Sequence, residues 1–341
     1  MTIKREVFGH FEGHPVHVFT LKGPRGITAR VMEYGAMLLS LEAPDRHGSL
    51  ADITLGYAGL AGYQADQFKV RALCGRVVNR IGRGHVSIKG REYRLPLNEG
   101  ANHIHGGPHG FDRHWWQGTA DEARNAVTFS RLSPDGEEGY PGNLTTHVTY
   151  AITADGGLAV SMRAETDATT IVNLACHAYW NLAGHDAGPV LGHRLMIDAD
   201  HCTQVDAGKI PTGEIIPVAG TVHDFRQARP IGQSMPAEGH DINFCLNGPS
   251  GHLRLAARLE HEASGRSLEV HTDQPGLQLY TGAGLHSGLI GKDGVAYGPF
   301  GGIALETQKF ADAPNHPNFP SIELEPGETY RHNSLFRFLI L

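Results

Sequence analysis

Short stretches with alternating apolar and polar residues recur along almost the whole chain, and a period of two is the signature of β-strands. Ile27–Met32, Met37–Leu41, His147–Ile152, Leu158–Ala164, His193–Ile197, His252–Leu259, Ser267–His271, Leu277–Thr281, Ile303–Glu306, Ser321–Leu324 and Phe336–Leu341 read this way or as short apolar runs. Turn-forming residues divide them: Asp155-Gly156-Gly157 separates two runs and Lys89-Gly90 lies within Val86–Leu95, so hairpins are expected at both places. The 44 glycines, roughly double the average share, and the 19 prolines supply many turns and leave little room for long helices. One short helix is expected near Ala58–Phe68, weakened by Gly59 and Gly62. So many strands need two packed sheets to bury their inner faces. The expected fold is all-β: a large twisted antiparallel β-sandwich with few short helices, one domain over residues 1–341 without low-complexity linkers or clear repeats.

The net charge of -7 and the lack of a basic run argue against a nucleic-acid surface or an anionic membrane partner, and favour a small neutral molecule. Lys4 and Arg5 lie near the start, but Gly9, His10, Glu12 and His14 interrupt the apolar core a signal peptide needs. No later stretch is apolar enough to span a membrane. Cys74, Cys176, Cys202 and Cys245 are far apart, without a C-x-x-C pair, as expected of reduced thiols in a cytoplasmic protein.

The stretch Thr170–Leu182 sorts into two unlike faces if it is a strand. Val172, Leu174, Cys176, Ala178 and Trp180 fall on one side, and Asn173, His177, Tyr179 and Asn181 on the other. Four polar residues in line around a histidine are more simply a wet cleft than a core, because each would need a partner if buried. Glu306 sits opposite Ile303 and Leu305 in a second strand pattern, either at a solvated edge or desolvated, with a pKa raised toward general-base use. Gln278 and Tyr280 form a polar row opposite Leu277 and Leu279. Asn79 and Arg80 place a planar amide beside a guanidinium, a pairing that can grip hydroxyl oxygens. Asp241 reads first as a turn cap. His103 and His105, two apart, would project to one side of a strand with His109 as a third metal ligand, whereas Gly106-Gly107 points to a tight turn or a close backbone approach. No dinucleotide fingerprint, P-loop or nucleophile elbow is present.

Seven segments, in order, resemble the motifs of the aldose 1-epimerase (galactose mutarotase) family: Asn79-Arg80-Ile81, Asn102-His103-Ile104-His105-Gly106-Gly107, His177 to Gly184, Pro211 to Val218, Asp241 to Leu246, Gln274 to Gly282, and Leu305-Glu306-Thr307-Gln308. The resemblance runs from about Gly35 to Tyr330. It implies a galactose mutarotase-like supersandwich, no cofactor, and interconversion of the α and β anomers of a free monosaccharide such as galactose or glucose by a monomer or homodimer. Position by position, it implies that His177 is the general acid and Glu306 the general base. Arg80, His105, Asp241 and Gln278 match sugar-contacting positions, and Asn79 and Tyr179 match residues beside them. Ala178 and Trp180 stand where the family commonly has Ser and Phe, so sugar preference is expected to lie there. Trp116 or Trp180 is a candidate for stacking on the sugar, although core packing suits each better. Activity is expected to fall at low pH as Glu306 protonates and at high pH as His177 loses its proton. Two alternatives remain: a non-catalytic sugar-binding or regulatory module of the same fold, and a metal-dependent β-barrel enzyme using His103, His105 and His109.

Overall fold

Where alternation is strict, strands form and their two faces meet different surroundings. The computed structural model describes residues 2–286 and 288–341. Among these, the largest sheet has nine strands in the spatial order Gln117–Asp121, Ala126–Ser133, Leu144–Ile152, Leu158–Thr166, Tyr330–Ile340, Arg266–Thr272, Arg254–His261, Arg194–Ile197 and Arg229–Pro230. A six-stranded sheet follows the order Tyr179–Trp180, Ile303–Gln308, Gly276–Tyr280, Asp241–Cys245, His201–Val205 and Pro211–Pro217. Neighbouring strands in both sheets are antiparallel. Their apolar faces meet in one cluster, with Val148, Val160, Leu268, Val270 and Phe336 from the larger sheet against Phe244, Leu277, Leu279, Ile303 and Leu305 from the smaller. Each such side chain contributes about 1.5–3 kcal/mol on burial. A five-stranded sheet from Lys4–Phe11 to Leu50–Asp52 adds Leu21, Ala29, Val31, Leu38 and Leu41 to the same core. The all-β expectation holds.

The hairpin at Lys89-Gly90 forms as expected, joining His85–Ile88 to Arg91–Arg94. Both turn residues have positive φ, +49° and +77°, the two-residue geometry that matches strand twist. The expected helix is present but short, Leu60–Ala65. All four cysteines are free thiols. Among the described residues no helix is long and apolar enough to cross a membrane.

Thr170–Leu182 departs from the expectation of one continuous strand. It breaks into Thr170–Ile171, Ala175–Cys176 and Tyr179–Trp180, which pair with Glu323–Leu324, Leu73–Cys74 and Ile303–Gln308 respectively. The segment must bend to serve three partners. Its apolar face survives intact, because Val172, Leu174, Cys176, Ala178 and Trp180 all join the main core. Its polar face does not. Asn173 exchanges two 3.0 Å hydrogen bonds with the Lys309 backbone, and the Asn181 amide donates to the carbonyls of Gly188 and Gly301 at 2.8 and 3.0 Å. These two asparagines replace strand pairing where the ladder is interrupted, and only His177 and Tyr179 of the row reach a cavity.

Candidate active site

The face of the six-stranded sheet opposite the core is polar. Register places Gln278 directly across from both Asn243 and Glu306, and Asp241 across from Tyr280. Period-two alternation then aims Asp241, Gln278, Tyr280 and Glu306 at the same side. They line a cavity of about 300 Å³, at the small end of the range for small-molecule sites. His177 enters from the bend before Tyr179–Trp180. Its backbone is fixed on both sides, donating to Ala72 O at 2.8 Å and accepting from Arg71 N at 3.0 Å. Loops and the short strand Arg80–Ile81 supply the remaining wall, with Phe68, Lys69, Asn79, Arg80, Glu99 and His105.

His177 Nε2 lies 3.5 Å from Glu306 Oε1, with the two residues only 4% and 2% exposed. Burial pushes the Glu306 carboxyl up to about 8, reinforced by the nearby Asp241 charge and opposed by Arg80. Burial likewise pushes the His177 imidazole down to about 4. Both shifts run toward the uncharged forms, a protonated Glu306 beside an unprotonated His177. The starting arrangement is therefore the reverse of an imidazolium facing a carboxylate, because a low-dielectric cavity favours the two neutral forms. The pH limits keep their direction but exchange owners. Below about 4 the pair gains a second proton at His177, and above about 8 it loses its only proton from Glu306. Among the described residues, His177 Nδ1 and Glu306 Oε2 have no hydrogen-bond partner.

The other resemblance-matched residues assemble around this pair. Gln278 Nε2 donates to Asp241 Oδ1 at 2.6 Å, and Arg80 Nη1 donates to Asp241 Oδ2 at 3.3 Å. Asp241 is thus a pocket carboxylate held by two donors, and the turn-cap reading does not apply. His105 lies beside His177, with ring centroids 5.4 Å apart. Its Nδ1 accepts the Asn79 backbone N–H at 3.2 Å, so its proton must sit on Nε2, and burial holds the ring well below its ordinary pKa as a neutral donor. Asn79 braces Arg80 in turn, accepting the Arg80 N–H at 2.8 Å through its side chain. Tyr179 donates its hydroxyl to Phe68 O at 3.1 Å, fixing the loop that carries Phe68 and Lys69.

The local backbone is strained where these groups are presented. Asn79 and His105 have φ of +64° and +53°, uncommon for residues with a side chain. Gly106 makes the turn after His105 possible, because a Cβ there would stand 1.7 Å from Gly75 O. The facing loop is pinned by a buried arginine. Arg76 donates from Nε to Ser133 Oγ, from Nη1 to Pro141 O and from Nη2 to the carbonyls of Ser133 and Pro134, at 2.8 to 3.0 Å.

His103 does not join the site. Its ring nitrogens lie 2.7 Å from Pro96 O and from Tyr140 Oη, so both are committed to the fold. The strand ends at Ile104 and His105 turns away, so the alternative metal set of His103, His105 and His109 is not assembled. Ala178 and Trp180 face the core, with Trp180 packed on Phe336 and Phe338 at ring distances of 5.3 and 6.0 Å, so neither can set sugar preference by contact. Trp116 is likewise fully buried, against Phe111. The aromatic surface of the cavity comes from Phe68, Tyr179 and Tyr280 instead. Nothing in the patterning marks Phe68, Lys69 or Glu99, which reach the cavity from loops.

The profile of the family described as aldose 1-epimerase matches residues 17–337. The chain is 44% identical over 346 residues to the galactose mutarotase of Rattus norvegicus, covering 100% of this chain and 99% of that one. It is 35% identical over 337 residues to the aldose 1-epimerase of Escherichia coli (strain K12), covering 96% of each. Among solved structures it is similar to an aldose epimerase homologue from C. elegans, with TM-score 0.89 and 28% identity, covering 95% of this chain and 99% of that one. A galactose 1-epimerase from Lactobacillus acidophilus superposes with TM-score 0.86 and 27% identity over 99% of both chains.

Proposed function

The chain belongs to the aldose 1-epimerase family, and from that premise we propose that it opens and recloses the ring of free galactose or glucose with His177 as acid and Glu306 as base. The observation that carries this assignment is the buried pair 3.5 Å apart in a cavity lined by hydrogen-bonding groups. Anomer exchange needs one proton delivered to the ring oxygen and one taken from the C1 hydroxyl, with no redox change and no water consumed. A bound sugar offers its C1 hydroxyl to Glu306 and its ring oxygen to His177. A hydrogen bond to the carboxylate favours its ionised form, so the proton shifts to His177 in the complex. The imidazolium then protonates the ring oxygen as Glu306 takes the hydroxyl proton, and the bond between C1 and the ring oxygen breaks to give the aldehyde. Rotation about C1–C2 presents the other carbonyl face, and the same transfers run backwards. Arg80, His105, Asp241 and Gln278 hold the hydroxyls that do not react, so that only C1 turns.

Every group in this scheme comes from one chain, which fits a monomer or a homodimer. We read residues 1–341 as one domain because a single apolar cluster joins the three largest sheets. The free, mostly buried thiols fit a cytoplasmic setting. The test is polarimetry on freshly dissolved α-D-galactose and α-D-glucose. The protein should speed the change in rotation, and His177→Ala should lower kcat by about 10²–10⁴ with a much smaller change in KM. Near-normal rates in that variant would remove His177 from the mechanism, and no acceleration by the native protein would favour a sugar-binding module instead.

A further inference from the structure

Arg80 is one of two cations in the pocket wall, with Lys69, and most of its hydrogen-bonding edge is taken by a residue outside the sugar-contacting set. Nε and Nη2 donate to Oε2 and Oε1 of Glu99, each at 2.7 Å, in a bidentate pair. Nη1 is left for Asp241 at 3.3 Å. One guanidinium therefore faces two carboxylates, a surplus of one negative charge. The other cation in the lining, Lys69, is already paired. Lys69 is held by both oxygens of Asp112 at 2.8 Å, a carboxylate it shares with Arg113 at 3.2 Å, burial favours the neutral forms of Glu306 and His177, and His105 is a neutral donor.

Glu99 is also built into place. Its backbone exchanges hydrogen bonds with Asn102, at 3.1 and 2.9 Å, and the Asn98 side chain clamps the N–H and C=O of Ile104 at 2.8 and 3.0 Å. The turn holds the carboxylate in the cavity lining, with its side chain 38% exposed. We propose that Glu99 is a specificity-determining residue that orients Arg80 and, together with Asp241, closes the pocket to anionic sugars such as hexuronates while admitting neutral hexoses. This rests on the reading of the cavity as a sugar site. A carboxylate on the ligand brings like charge close to Glu99 and Asp241, and rejection by repulsion is a standard route to specificity.

The experiment compares anomer exchange of D-galactose and D-galacturonate by the native protein, Glu99→Gln and Glu99→Asp. The native protein should favour galactose, and added salt should narrow the preference by screening. Glu99→Gln should raise the galacturonate-to-galactose ratio of kcat/KM by at least about tenfold. Glu99→Asp keeps the charge on a shorter arm, so the ratio should stay low while KM for galactose rises as Arg80 loses its fixed position. Equal factors for both sugars in Glu99→Gln, or admission of galacturonate by Glu99→Asp as well, would overturn the proposal. A native protein that accelerates neither sugar would instead remove the sugar-site reading, and this inference with it.

Discussion

Replacing Glu306 with glutamine keeps the shape of the side chain and removes its charge, so it isolates what ionising a buried carboxyl does to the fold. The unfolded chain releases this proton at the ordinary 4.5 and the folded protein at about 8. Below 4.5 both states hold it. Between the two values only the folded state does, so this group's contribution to stability is full at low pH and is lost as pH rises, at about 1.36 kcal/mol per pH unit. Across the gap from 4.5 to about 8 the loss approaches roughly 5 kcal/mol. Relaxation around the new charge and water entering the cavity reduce it, and about 2–4 kcal/mol is the expected range. The variant escapes this loss. The His177 titration is present in both proteins and largely cancels in the difference. Urea unfolding at pH 5, 7 and 9 should find Glu306→Gln close to the native protein at pH 5 and increasingly more stable toward pH 9. Polarimetry on the same samples should find kcat reduced at least about a hundredfold. A stability difference that stays constant with pH, or one that turns against the variant at pH 9, would refute the desolvation argument.

Two further outcomes follow from the same geometry. The rate of anomer exchange should form a plateau centred near pH 6, with limbs near 4 and 8, and infrared spectra near pH 6.5 should contain a protonated-carboxyl band that Glu306→Gln removes; a maximum above pH 8 would contradict the shared-proton pair. Trp180→Phe should lower stability by about 1–3 kcal/mol by leaving a cavity against Phe336 and Phe338, while the galactose-to-glucose rate ratio stays within about twofold, as denaturation and polarimetry would show.

Alternation makes part of the site legible in the sequence. Leu277, Leu279, Ile303 and Leu305 recur at a period of two, so Gln278 and Glu306 fall on the face away from the core whichever strands pair. The same logic is too generous at Asn173 and Asn181. Whether a polar side chain in a row meets solvent or stray backbone depends on neighbours such as Lys309 and Gly301, which are distant in sequence. Glu99, Lys69 and Phe68 lie on loops, where no periodicity assigns a direction. Arg76 resembles any surface arginine until the carbonyls of Ser133, Pro134 and Pro141 surround it. The resting place of the shared proton follows from burial, which residue types alone do not specify.

The strand Tyr330–Ile340 lies between Leu158–Thr166 and Arg266–Thr272 and follows every other member of the nine-stranded sheet in the chain. During synthesis, the earlier strands therefore wait as two unjoined halves with open edges, the condition under which nascent chains invite misassembly and recruit chaperones. The same strand backs the candidate base, because Thr307, next to Glu306, is hydrogen-bonded to His332 and Ser334 at 2.9 and 2.8 Å. A ribosome-bound chain that stops short of residue 330 already contains all the residues that line the cavity, but it lacks the strand that grips Thr307 from behind.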